Sequence, residues 1–272
     1  MVVQHNLQAM NANRQLNITT TAQGKSTEKL SSGYRVNRAG DDAAGLSISE
    51  KMRGQIRGLN QASTNAQDGV SLIQTAEGAL NEIHSVLQRM RELTVQAAND
   101  TNVSADRTAI KTEQEALTAE IDRIATQTQF NTMNLLTGSF DSKNLQVGAN
   151  AEQNIQVSIA SMGSKGLGVE SAAGNMSTYL NATAFISEID KAITSVSTQR
   201  SKLGAIQNRL EHTIANADNT AENLQAAESR IRDVNMADEM VKYSKSSILQ
   251  QAGQSMLAQA NQSTQGVLSL LR

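Results

Sequence analysis

Between Leu46 and Ala98 the chain carries an apolar stripe at helical spacing that nothing interrupts. Met52, Ile56, Leu59, Ala66, Val70, Ile73, Leu80, Ile83, Leu87, Met90 and Ala97 follow one another at steps of three, four or seven residues, and the chain contains no proline. Such steps put side chains on one face of an α-helix, here roughly 80 Å long at about 1.5 Å per residue. A helix of that length cannot bury its stripe against itself. It needs partner helices of similar length, from the same chain or from other copies.

The rest of the chain offers them. A sparse stripe through Leu7, Met10, Ile18 and Leu30 predicts a weakly apolar first helix. The turn formers of 31–42 then separate it from the long one, with Asp41 or Asp42 as its cap. After Asn99-Asp100-Thr101-Asn102, a helix capped by Ser104 shows Ile110, Leu117, Ile121 and Ile124, and the short loop folds it back antiparallel on the long helix. Phe130 to Phe140 reads as irregular. Leu145 and Val147, then Ile155, Val157 and Ile159, alternate with polar residues on either side of 148–154, as in a β-hairpin. From Phe185 the helical period resumes, and Leu203, Leu210, Ala217, Leu224 and Ile231 recur every seven residues like a coiled-coil seam. A last amphipathic helix runs beyond Asp238 through Val241, Ile248, Ala252, Met256 and Leu257, and Val267, Leu268, Leu270 and Leu271 follow with no evident cover in the chain, which marks them as an interface. The predicted fold is mainly α: an elongated bundle of long antiparallel helices with coiled-coil-like packing plus a small β-hairpin region, both termini at one end.

Composition supports thin helical layers rather than a deep enzyme core. The 272 residues are 39% hydrophobic but only 2% aromatic, without Trp or Cys. Lacking Cys, the chain has neither disulfides nor a Cys-based metal site. The net charge is −2 with signs interspersed, so no basic face invites nucleic acid. No stretch approaches the roughly 20 apolar residues of a membrane span, and the first residues lack the basic and apolar regions of a secretory signal peptide.

Chemical constellations are weak. His5, His84 and His212 lie far apart in sequence without the H-E-x-x-H pattern, so surface or interface roles outweigh metal ligation. Asp233-Val234-Asn235 starts like a calcium loop, then lacks the required Gly and closing Glu. Asp41-Asp42 suits capping better than acid/base work, and no G-x-S-x-G elbow exists. No cofactor is expected. Around Arg89, periodicity sends Leu87 and Met90 inward and leaves Gln88, Arg89 and Glu92 outward.

Three runs carry a resemblance: LSSGYRVNRAGDDAAGLSISEKMRGQIRGL at 30–59, QDGVSLIQTAEGALNEIHSVLQRMRELTVQAAN at 67–99, and AESRIRDVNMADEMVKYSKSSILQQAGQSMLAQANQ closing on VLSLLR. Together, essentially all of 1–136 and 185–272 resembles bacterial flagellin, with only about 50 residues between the two regions, as in a minimal form without large outer domains. The resemblance implies an inner domain of terminal helices (1–44 and 235–272) and a rod-like helical domain (45–234, hairpin near 137–180), polymerised into an extracellular flagellar filament that serves motility. It further implies type III export through the export apparatus without a cleaved signal, a secretion chaperone on the C-terminal helix, and contacts with cap and junction proteins. By position it also implies recognition by the vertebrate Toll-like receptor for flagellin, with Arg89 central and Leu93 and Glu113 beside it, on a segment that packs between subunits in the filament. A hook–filament junction protein would share the terminal helical character and stays as the second reading; an enzyme is a distant third.

Overall fold

The computed structural model describes the backbone of residues 6–170 and 178–270, with side chains described to residue 263. The chain forms two compact units, Gln55–Glu222 and Met1–Gly54 with Asn223–Arg272. The described residues form helices α1 (Leu7–Ser32), α2 (Ala43–Ala97), α3 (Ser104–Gln127), α4 (Ser164–Leu167), α5 (Tyr179–Arg232) and α6 (Met236–Leu270), with short strands β1 (Gln129–Phe130), β2 (Met133–Asn134), β3 (Lys143–Gln146) and β4 (Asn154–Val157) between α3 and α4. The long proline-free stripe is thus one 55-residue helix. Its unit boundary and that of α5 fall within the helices.

In the unit Gln55–Glu222, the stripe of α2 becomes the core. Ile73, Leu80, Ile83, Leu87 and Met90 are fully buried and meet Ile121 of α3 and Ile189, Val196, Leu203 and Leu210 of α5. Each such burial is worth about 1.5–3 kcal/mol. Both α3 and α5 run antiparallel to α2: Glu113 lies beside Arg89, Asp190 beside Arg91 (2.8 Å) and Arg200 beside Glu77 (3.5 Å). Buried polar residues interrupt the core where periodicity predicts nothing. Gln114 donates from Nε2 to the Met90 carbonyl (2.6 Å) and to Thr94 Oγ1 (2.8 Å), riveting α3 to α2.

Three local expectations are corrected. Ser104 is the first helical residue of α3 rather than its cap, and the Asp106 carboxylate accepts from the Val103 N–H (3.2 Å) to close that end. Residues 129–134 pair as a hairpin, β1 with β2, through Asn131 and Thr132, which both take positive φ (47° and 64°). This two-residue left-handed turn matches strand twist. Helix α5 starts at Tyr179, not Phe185, because Ala182 extends the buried stripe by one step of three. The second hairpin pairs Leu145 with Ile155 in antiparallel register. Its inner side seats against glycines of α2: a Cβ on Gly69 would stand 2.6 Å from Leu145 Cδ1, and one on Gly58 would stand 2.9 Å from Ala149 Cβ.

In the other unit, α1 and α6 pack antiparallel, with Asn6 Nδ2 donating to the Ala260 carbonyl (2.9 Å) and Ser26 Oγ to Glu239 Oε1 (2.7 Å). Helix α1 ends at Gly33, whose φ of 74° lets its N–H reach the Lys29 carbonyl. The two connectors then pair: the Val234 N–H donates to the Gly33 carbonyl (3.0 Å) and the Arg35 N–H to the Arg232 carbonyl (2.6 Å). The Arg232 guanidinium sits 4.7 Å from the centre of the Tyr34 ring and 2.9 Å from Glu50 Oε1. Asp42 caps α2 by accepting from the Gly45 N–H (2.8 Å), while Asp41 accepts from Asn37 and Arg38 N–H groups. Those two backbone donors, Arg38 first, hold the Asp41 carboxyl below its ordinary range.

Candidate functional site

On α2, the burial of Leu87 and Met90 turns Gln88, Arg89 and Glu92 to solvent. The Arg89 guanidinium is forked between two carboxylates: Nε and Nη2 both donate to Glu113 Oε1 (3.1 and 2.9 Å), and Nη1 donates to Glu92 Oε2 (3.2 Å). Glu113 first, then Glu92, raises the Arg89 pKa above its ordinary value. All three side chains stay about half exposed or more. Exposed pairs of this kind add little to stability, so the triad orients a cation more than it holds the fold. Gln88 Nε2 lies 3.0 Å from His84 Nε2 on the same face.

Leu93 stands under this surface, not on it. It is 2% exposed and belongs to the core cluster, because it follows Met90 by three residues and the buried face is wide enough to include it. Gln114, adjacent in sequence to Glu113, is buried directly beneath and bonded to α2 at Met90 and Thr94. It sets the height at which Glu113 meets Arg89. Sequence periodicity passes over Gln114, since a polar residue on the apolar phase looks like an interruption; only its two partners reveal the role.

The second candidate surface is made by α1 and α6. Their pairing buries little apolar area: Leu7 (70% exposed), Met10, Ile18, Val241 (69%), Ile248 and Met256 all face solvent. Such a density of exposed apolar side chains marks an interaction face. The residues Val267, Leu268, Leu270 and Leu271, expected to extend it, lie outside the described side chains. The polar candidates take local structural roles. Asp233 bridges backbone with Tyr34, and Asn235 Oδ1 accepts from the Ala237 N–H (3.1 Å), so the calcium-like stretch is a helix start. Among the described residues, no group of His, Asp and Glu is placed to hold a metal ion, and no helix is long and apolar enough to cross a membrane.

Comparison with known proteins bears on these surfaces. The family described as bacterial flagellin N-terminal helical region matches residues 3–141, and that described as bacterial flagellin C-terminal helical region matches 186–271. A flagellin of Halalkalibacterium halodurans is 57% identical over 272 residues and a flagellin of Bacillus subtilis 52% identical over 304, each alignment covering all of both chains. Among solved structures, the crystal structure of Bacillus cereus flagellin is 31% identical with a TM-score of 0.52, covering 61% of this chain and 94% of that one.

Proposed function

The chain belongs to the bacterial flagellin family, and from that premise we propose which of its surfaces assemble, which are handled during export, and which are recognised. It is a structural subunit of the extracellular flagellar filament, which polymerises with its own kind, and not an enzyme. The exposed apolar faces of α1 and α6 are the assembly core, and their open, head-to-tail contacts extend into a helix instead of closing into a ring. The observation that carries this is the exposure of Val241 and Ile248 on α6, and of Leu7, Met10 and Ile18 on α1, on a helix pair that does not bury them. In this division, residues 1–44 and 235–272 are the inner domain, 45–234 the outer rod, and Val267, Leu268, Leu270 and Leu271 continue the core. The C-terminal helix is the handle by which a secretion chaperone and the type III export apparatus receive the subunit before cap and junction proteins meet it.

The Arg89, Glu92 and Glu113 cluster, with Gln88 at its edge and Leu93 beneath, is the surface that engages the vertebrate Toll-like receptor for flagellin and, in the filament, a neighbouring subunit. One surface then serves two exclusive partners. The assembly reading is tested by placing charge in the apolar face. Val241→Asp with Ile248→Asp, added as monomer to filament seeds, should give no elongation under electron microscopy while the monomer keeps its helical circular dichroism; normal growth would reject the face.

A further inference from the structure

The chain contains ten methionines and no cysteine, so thioethers are its only sulfur centres. Their distribution is uneven. Met90 and Met162 are buried in the core at 0% and 4% exposure, whereas Met10 (65%), Met236 (48%), Met240 (50%) and Met256 (62%) are open on α1 and α6, with Met133 the other exposed one among the described residues. Three shallow depressions along the α1 and α6 faces each have one of them in the wall. Met10 lies beside Ile18 and Arg14, Met240 beside Val241 and Ile248, and Met256 beside Leu16 and Gly253 in the groove between the two helices. Methionine suits a surface that must mould itself to several neighbours, being flexible and polarisable. The same thioether is also the group that two-electron oxidants attack when it is accessible.

We propose that Met10, Met240 and Met256, with Met236 at the start of α6, are an oxidation site that gates assembly: a peroxide or hypohalous acid converts them to sulfoxides in the free subunit and so prevents its addition to a filament. In the reaction a thioether lone pair takes the electrophilic oxygen, the O–O or O–halogen bond breaks, and the oxidant leaves as water or halide. Sulfur is oxidised by two electrons and the oxidant is reduced by two. The product is bulkier and polar, so it disturbs the apolar packing of Ile18, Val241 and Ile248 against a neighbour, and its desolvation on burial costs free energy that the nearby Arg14 or Lys245 offsets only in part. Subunits already in a filament are protected because these positions are covered. Oxidant therefore stops growth without dissolving what has been built. This inference rests on the reading of the α1 and α6 faces as the assembly surface.

The test exposes purified monomer and, separately, intact filament to hydrogen peroxide, maps oxygen addition at each methionine by mass spectrometry, and then measures seeded elongation. In monomer, Met10, Met236, Met240 and Met256 should oxidise while Met90 and Met162 do not; in filament the four should be spared. Oxidised monomer should show roughly a tenfold rise in critical concentration, the equivalent of about 1.4 kcal/mol, reversed by methionine sulfoxide reductases. A variant with Met10, Met236, Met240 and Met256 all replaced by Leu should elongate alike with and without peroxide. Normal elongation by wild-type monomer whose sulfoxides are confirmed by mass would overturn the inference, as would equal inhibition of the Leu variant. Met10→Gln, Met240→Gln and Met256→Gln combined separate the two layers: unimpaired growth of that variant removes the assembly reading itself, whereas its failure beside normal growth of oxidised wild type removes only the oxidation gate.

Discussion

Glu239 is the residue whose charge state bears most directly on how the terminal helices hold together. It is 4% exposed, accepts from Ser26 Oγ across the α1 and α6 pair and from Lys242 Nζ (3.0 Å), and these contacts, Ser26 first, hold its carboxyl below the ordinary value of 4.5 although burial acts the other way. A carboxyl depressed in the folded state stabilises above its unfolded value, and the stabilisation is lost as pH falls through the lowered folded value. Glu239→Gln should therefore be less stable than wild type by about 1 kcal/mol at pH 7, and the gap should close as pH drops below 4.5. Urea denaturation of both proteins at pH 7 and in stepped acid would check it. Arg89 gives the second prediction at this scale. Replacing it with Ala should weaken receptor binding by roughly 1–3 kcal/mol, the hot-spot range, and slow polymerisation, yet leave monomer helicity intact because its ion pairs are exposed. Titration of receptor ectodomain with monomer and with filament would measure both effects, with filament binding less per subunit. The outward set of Gln88, Arg89 and Glu92 was legible from period alone. Leu93 was not, since its surface role came from positional resemblance while burial follows from its spacing to Met90, and neither was Gln114.

At the level of elements, glycine separates two kinds of helix position. Gly78 of α2 has open space where a Cβ would go, so Gly78→Ala should raise stability by about 0.5–1 kcal/mol through reduced chain entropy alone. Gly58 differs. A Cβ there would come within 3.2 Å of the Ala149 Cα, backbone of the β3–β4 loop that cannot rotate aside, and Gly58→Ala should lose about 1–3 kcal/mol as the hairpin tip is pushed off. Thermal melts of the two variants should move in opposite directions. The long helices were legible because apolar steps of three and four persist over many turns, and the β3–β4 hairpin because its alternation is clean. The β1–β2 hairpin was hidden: its Asn131-Thr132 turn lacks glycine, and two-residue strands leave no period to read. The first turn of α5 was hidden too, since Leu180 is 76% exposed and off the buried phase that Ala182 continues.

For the molecule as a whole, the contrast is between a unit that buries its apolar stripe and one that leaves it open. With so little of their own cover, α1 and α6 should be the parts that open in the free subunit. Limited proteolysis of monomer should trim both ends toward a core near 45–234, and filaments should resist; equal resistance of the ends in both forms would reject this. The two terminal segments were legible as helices of weak stripe and the resemblance joined them in one domain, but period alone did not give their pairing, since polar contacts such as Ser26 with Glu239 and Asn6 with Ala260 help carry it and have no periodic signature. Nor was the pairing of the connectors, where Gly33 and Arg35 bond to Val234 and Arg232 while Arg232 grips Tyr34 and Glu50. A filament that drives motility turns under load, and torque reaching a terminal helix passes through these crossings. Two separate single strands would each twist about their own bonds, like two loose threads; laced together across their backbones, they share tension and resist swivelling as a ribbon does. Two backbone hydrogen bonds and the Arg232 guanidinium thus add to the stiffness of that joint.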